Sequence, residues 1–226
     1  MKRNNIIDIC KHNRLQQYKQ SIAFHEAGHA AAIYLNNKTK NLPPVFFQIV
    51  FKEISGNKDY DAAAYRATHD DSIARVEGGR LIQSLPYSAD GLVHKLIDHN
   101  DAMAPLVKDY ITAFEADIIN LLIGPLAEAK QAYSRDNELF NHKMVDLRSL
   151  KNYGGSSDLA LAYDYLESFS ANKEQQNEKL DELFAEACHF VSDYSNWKAI
   201  SKLANYILDS NKNIISCEEV VSVLES

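Results

Sequence analysis

The strongest constraint on the fold of this sequence is a helical apolar rhythm that runs for long stretches with few residues able to break it. Leu180, Leu183, Phe184, Ala187, Phe190, Val191 and Tyr194 recur at i, i+3, i+4, i+7 spacing, which predicts an amphipathic helix. Leu106, Ile111, Phe114, Ile118, Ile119, Leu121 and Leu122 predict a long buried helix, interrupted or kinked near Gly124-Pro125. Shorter helices are expected around Trp197–Leu208 and Cys217–Leu224. Only 8 Gly and 5 Pro occur in 226 residues, under half the usual share of about 12%, so a loop-rich or repetitive fold is disfavoured. Two short stretches have strand character: Val45–Phe51, aromatic and β-branched behind Pro43-Pro44, and Gly79–Leu85, bounded by Gly78 and Pro86. The expected class is therefore mostly α with a small β-sheet. Residues 1–20 read as an N-terminal arm or short helix, followed by a helix from Ser21, its N-cap, to Asn36. Gly154-Gly155-Ser156-Ser157 is the clearest loop, with Ser156 or Ser157 available to cap the next helix.

Composition narrows the function. The net charge is −7 and no five like charges are consecutive, which argues against a nucleic-acid footprint or a basic membrane-surface helix. Cys10, Cys188 and Cys217 are far apart and form no CxxC pair, which excludes a disulfide scaffold and a thiolate zinc site and suits a reducing compartment. No apolar run approaches the ~18 residues that a bilayer span needs. The first residues, MKRNNIIDICKHNR, lack the apolar core and cleavage site of a secretion signal. A cytoplasmic protein with neither a membrane span nor a nucleic-acid partner is expected.

The chemistry is concentrated in Phe24-His25-Glu26-Ala27-Gly28-His29-Ala30. His25 and His29 are one helical turn apart, so both rings leave the same face about 5–6 Å apart at Cβ. Their nitrogens can then reach one Zn²⁺ at about 2.0–2.1 Å. Glu26, beside the first histidine, is positioned to act as a general base on a water without ligating the metal. Gly28 lies mid-helix at a cost of about 1 kcal/mol relative to alanine, among Ala27, Ala30, Ala31 and Ala32. That small-residue surface lets another backbone come close to the histidines. A catalytic zinc site needs a third protein ligand and leaves one position for water. Asp158, in the first turn after the GGSS loop, and Glu128, on the long apolar helix, are both candidates, and residue spacing does not choose between them.

The string His25-Glu26-Ala27-Gly28-His29-Ala30 resembles the HEAGHA motif of FtsH-type ATP-dependent zinc proteases. The likeness continues in order: Ile123-Gly124-Pro125-Leu126-Ala127-Glu128 is similar to that family's GGRxAE helix, with Pro125 departing from it. Gly154-Gly155-Ser156-Ser157-Asp158-Leu159 is similar to its GASSDL or GASNDI segment, and the tail from Trp197 to Val220 resembles its last helices. The resemblance implies a zincin-like metallopeptidase domain over residues 21–226, with the HExxH helix followed by a C-terminal helical bundle. It implies one Zn²⁺ per chain held by His25, His29 and Asp158, with Glu26 as catalytic base and Glu128 behind the ligands. Two departures stand out. No glycine is followed by lysine, so this sequence holds no GxxxxGK[ST] phosphate loop, and no stretch of it is expected to serve as the family's membrane anchor. The interval from His29 to Asp158 is also long for the family, which suggests insertions near 56–75, 86–109 and 135–152.

The implied reaction is hydrolysis of unfolded or flexible polypeptide by a zinc-activated water. In the family, substrate adds as a strand to an exposed sheet edge, and Gly79–Ser84 is the candidate edge here, with Gly79, Arg80, Leu81 and Ile82 as substrate-binding residues. The resemblance leaves room for a separate AAA+ unfoldase as partner and for a homo-oligomer. The competing reading is a catalytically silent peptidase fold used as a docking module; a zinc hydrolase of small molecules is a third. His94, Asp98, His99 and Asp101 read as a solvated helix end, His69-Asp70-Asp71 as a turn, and His12, His142 and His189 as histidines without a partner at ligand spacing.

Overall fold

From Lys2 to Asn36 the sequence contains one glycine and no proline, and it forms one helix, α1 (Lys2–Thr39). The expected arm and the helix beginning at Ser21 are thus continuous, and Ser21 lies mid-helix instead of capping it. The chain leaves α1 through Asn41, at φ 54°, just ahead of Pro43-Pro44. The computed structural model describes residues 2–51, 74–82, 104–141 and 144–226, with side chains described from residue 13 in the first segment and residue 107 in the third.

The remaining elements are β1 (Phe47–Phe51), β2 (Ala74–Gly78), α2 (Ala104–Arg135), a 3-10 turn (Ser149–Tyr153), α3 (Ser156–Phe169), α4 (Lys173–Ser192), α5 (Tyr194–Asp209), β3 (Ile214–Ser216) and α6 (Cys217–Glu225). The chain is mostly helical with a three-stranded sheet, as the periodicity predicts. α2 continues through Gly124-Pro125 without a break. A mid-helix proline costs about 3 kcal/mol by itself, but Ile118, Ile119, Leu122, Ile123 and Leu126 are all fully buried around it, and that packing holds the helix together. The stretch Val107–Arg135 is long and apolar enough to cross a membrane, yet 72% of its most apolar window is buried inside the fold. Its apolar surface is spent on α1 and α4.

α1 and α2 cross at very short range. A Cβ on Gly28 would stand 2.8 Å from the Ala127 Cβ and 2.9 Å from the Ile123 carbonyl oxygen, so nothing larger than hydrogen fits there without moving α2. One turn before Gly28 on α1, Phe24 packs on Trp197 of α5 with ring centroids 5.5 Å apart. The helix starts carry their own signals. Asn172 accepts from the amides of Glu174 and Gln175, Asp193 accepts from that of Asn196, and Ser216 forms a capping box with Glu219.

The sheet is antiparallel, in the order β2-β1-β3, with Ile49 of β1 opposite Val76 on one side and Ile215 on the other. β2 differs from the strand expected at Gly79–Leu85. The strand ends at Gly78, because Gly78 and Gly79 both take left-handed φ (83° and 77°), a region closed to extended backbone. Residues 79–82 are irregular, and 83–85 lie outside the described residues. Also outside them are His69-Asp70-Asp71, the His94–Asp101 cluster, the side chains of His12 and His142, and most of the insertions expected near 56–75 and 86–109. Within 135–152 the described residues are the end of α2, irregular chain at 136–141 and 144–148, and part of the 3-10 turn. His189 is exposed on α4.

Candidate metal centre

Four elements meet at the histidine pair of α1. His25 and His29 are each 9% exposed and Glu26 is 5% exposed. Their ring centroids are 4.7 Å apart and the planes nearly perpendicular, at 72°. Each ring is anchored through Nδ1. His29 Nδ1 lies 2.9 Å from the Asn120 carbonyl oxygen of α2. His25 Nδ1 lies 3.2 Å from Glu128 Oε2, also of α2, and 3.2 Å from the Tyr153 carbonyl oxygen. All three partners only accept hydrogen bonds, so both Nδ1 atoms carry the proton. In the neutral rings, each Nε2 is therefore a bare lone pair.

Those two lone pairs face each other at 3.0 Å, and the Asp158 carboxylate closes the third side. Its Oδ2 is 3.4 Å from His25 Nε2 and its Oδ1 3.4 Å from His29 Nε2. Two acceptor nitrogens and a carboxylate at this range repel one another unless a cation lies between them. Ligand atoms at 2.0–2.1 Å from a tetrahedral ion are about 3.3–3.4 Å apart, and the spacings here are close to that. The three residues can thus hold a metal ion. Without one, a proton is drawn in. Burial disfavours the His25 cation, but Asp158 and Glu128 outweigh it and hold the ring well above its ordinary pKa. Burial would likewise raise Asp158, but the imidazoles of His29 and His25 keep its carboxyl well below the usual range. Asp158 Oδ2 has no hydrogen-bond partner, as expected of an atom shaped for an ion.

The choice left open between Asp158 and Glu128 is decided by the loop. Gly155, not Ser156 or Ser157, sits at the N-cap of α3, so Asp158 falls in the first helical turn and points at the histidines. Gly154, at φ 75°, brings the loop over His25. A Cβ there would stand 3.1 Å from both His25 Nδ1 and Glu128 Oε2. Pro125 supports the same loop from α2, its Cβ 2.8 Å from where a Gly155 Cβ would be. Glu128, 3% exposed, stands behind His25 on the side away from Nε2 and orients the ring.

Glu26 is the remaining acid. Burial raises its pKa, against the opposing charges of His25 and His29, and its Oε2 has no hydrogen-bond partner. The Val76 amide of β2 donates towards this carboxylate. In the antiparallel ladder, the Gly79 amide bonds to the Phe46 carbonyl oxygen at 2.8 Å. Alternation then turns the backbone groups of Ala74, Val76 and Gly78 away from β1. Among the described residues no strand covers that edge. Among the described residues, the unpaired edge beside the centre is accordingly Ala74–Gly78, five residues before the one expected.

Of the expected substrate residues, Gly79 and Arg80 line a cavity of about 280 Å³ that also touches His29 and Asp158. Leu81 is fully buried, and its amide and that of Ile82 donate to the two carboxylate oxygens of Asp117 at 2.9 and 3.0 Å. These two amides therefore cannot serve as a strand edge. Asp117, Asn120, Gly124 and Glu128 form a stripe at i, i+3, i+7 and i+11 along an otherwise apolar helix. That interruption of the apolar pattern was the available signal for the two residues missed, Asp117 and Asn120. Asn120 also joins a buried amide chain, taking a hydrogen bond from Asn36 at 3.0 Å and giving one to Asn37 at 3.1 Å.

Burial pushes the Asp117 carboxyl up to about 6, with the Ile82 and Leu81 amides and the Arg80 charge only partly offsetting it. A folded pKa above the unfolded value means a stabilising contribution that is present below about pH 4 and gone once the pH passes about 6, at most about 3 kcal/mol. Urea denaturation of the metal-free protein between pH 4 and 7 is expected to show this loss, and Asp117→Asn to flatten that part of the profile. Identical pH profiles for the two proteins would refute it.

No family model, curated protein or solved structure matches this chain.

Proposed function

We propose that this chain is a zinc-dependent metallopeptidase of the zincin type, similar to the FtsH-type peptidase domain, acting on unfolded or flexible polypeptides. The observation that carries the reading is the arrangement of four side chains. His25, His29 and Asp158 turn three cation-seeking donors towards one point, and a fourth, buried acid, Glu26, has an oxygen with no partner. The donor set of two imidazoles and one carboxylate is that of a catalytic zinc site, which keeps one coordination position open. Zinc bound there supplies Lewis acidity, lowering the pKa of water and polarising a scissile carbonyl.

The protein's own groups do the rest. Glu26, its carboxyl pKa raised by burial, takes a proton from the attacking water and returns it to the leaving amine. Glu128 and the carbonyls of Tyr153 and Asn120 fix the tautomer of both rings, so that Nε2 is the donor in each. The uncovered edge of β2 offers main-chain hydrogen bonds to an extended peptide, with the Val76 amide linking that edge to Glu26. Recognition through main-chain groups needs a substrate segment that is already unfolded, which fits a separate AAA+ unfoldase for folded targets.

The test is cleavage of dephosphorylated casein by the purified chain. Cleavage is expected to stop when a chelator strips the metal and to return with one equivalent of zinc per chain. Stoichiometric zinc with intact casein would instead favour the docking-module reading.

A further inference from the structure

Resting on the peptidase reading, we propose that Asp117 is a positioning residue for the substrate-binding edge: it pins the chain that leaves β2 to α2 and so fixes that edge beside the metal centre. β2 is held on one side by its ladder with β1. It stops at Gly78, and the left-handed pair Gly78-Gly79 carries the chain off the sheet. Just past Arg80, the Leu81 and Ile82 amides meet the two carboxylate oxygens of Asp117, at 2.9 and 3.0 Å. The Leu81 side chain enters a small apolar cluster of its own with Ala113 and Ala116 of α2.

The tie is polar where packing alone would cost less. Asp117 is 3% exposed, and a carboxylate is costly to bury unless donors meet its oxygens. Two consecutive amides need two acceptors side by side, which an ionised carboxylate supplies without adding a donor of its own. Arg80 extends the tie to the opposite wall. Its guanidinium hydrogen-bonds the Tyr165 hydroxyl of α3, and its charge faces Asp117. Tyr165 lies two turns after Asp158 on the same face of α3, and both line the cavity that Val76 and Gly78 of the edge also line. Two carboxylates and two arginines share that cavity, so its charges brace one another. Edge and third ligand are thereby referenced to each other through residues that touch neither the metal nor the scissile bond. An edge binds peptide through hydrogen bonds with narrow limits of distance and angle. Those bonds hold substrate alike before and in the transition state, so a displaced edge raises KM more than it lowers kcat.

The experiment has three readouts on Asp117→Asn, in which one acceptor becomes a donor facing a backbone amide. On unfolded casein, KM is expected to rise about tenfold, with kcat within about twofold and zinc still one per chain. Hydrogen exchange should quicken about tenfold in peptides covering 74–82 and stay unchanged in those covering α1 and α3. In a zinc-loaded Glu26→Gln background, adding Asp117→Asn should weaken binding of a fluorescent unstructured peptide about tenfold. Arg80→Gln leaves both amides clamped and should raise KM less than Asp117→Asn does. Casein cleavage with unchanged KM and unchanged peptide affinity overturns this inference and leaves the peptidase reading intact. A fall in kcat at constant KM, a loss of zinc, or faster exchange throughout the chain also overturns it, since Asp117 would then serve the metal centre or the fold at large. Weaker peptide binding and local exchange in a protein whose parent cleaves no casein support the positioning role and count against the peptidase. A parent that neither cleaves casein nor binds peptide overturns both.

Discussion

Gly124→Ala is expected to remove metal binding nearly as completely as His29→Ala, although residue 124 offers no ligand atom. A Cβ at this position would stand 2.3 Å from His29 Nε2, 2.4 Å from Cε1 and 2.6 Å from Cδ2, inside the van der Waals radius of the ring. The imidazole would have to swing off the α2 surface, and in doing so it would lose both its place opposite His25 and its bond to the Asn120 carbonyl oxygen. Loss of a supporting contact behind a ligand costs 10–100-fold in affinity. Displacing the ligand itself should cost about 100-fold or more. Alanine is also a better helix former than glycine by about 1 kcal/mol, so the variant should keep its helical circular dichroism. Zinc retention after competition with a chelator is the measurement. Wild-type zinc affinity in a folded Gly124→Ala protein would show that His29 does not ligate from this geometry.

Glu26→Gln is expected to lower kcat on unfolded casein by about 10²–10⁴-fold while zinc content stays at one per chain. That range is what a positioned general base contributes, and the amide keeps the shape while losing the capacity to take a proton. The same substitution should raise stability slightly, because a buried carboxylate whose pKa is already raised gives way to a neutral group. Lower activity with higher stability is the expected signature of a group kept for chemistry and not for packing. If Glu26→Gln turned over casein like the parent protein, the base would have to be another group. If it lost zinc, Glu26 would be a ligand or a support instead.

What the sequence determined by itself was local. One turn of helix puts residues i and i+4 on one face whatever surrounds them, so His25 and His29 were legible as a pair, with Glu26 beside them. Helices α2, α4, α5 and α6 were legible for the same reason: each writes its own period. Strand β1 was legible from its run of aromatic and β-branched residues. β2 was not, because Ala74-Arg75-Val76-Glu77-Gly78 has little strand character of its own and is a strand through its pairing with β1. Residue spacing did not decide which acid joins the histidines; the family resemblance pointed to Asp158, and the tertiary structure is what brings that carboxylate to them. Asp158 and Glu128 are equivalent as carboxylates, and both lie more than ninety residues from His25. The close α1–α2 crossing at Gly28 fixes Glu128 behind the ring, and the turn at Gly154 swings Asp158 to the front. Contacts between remote segments depend on how helices cross and how a loop bends, and neither is encoded in the spacing of residues along one element.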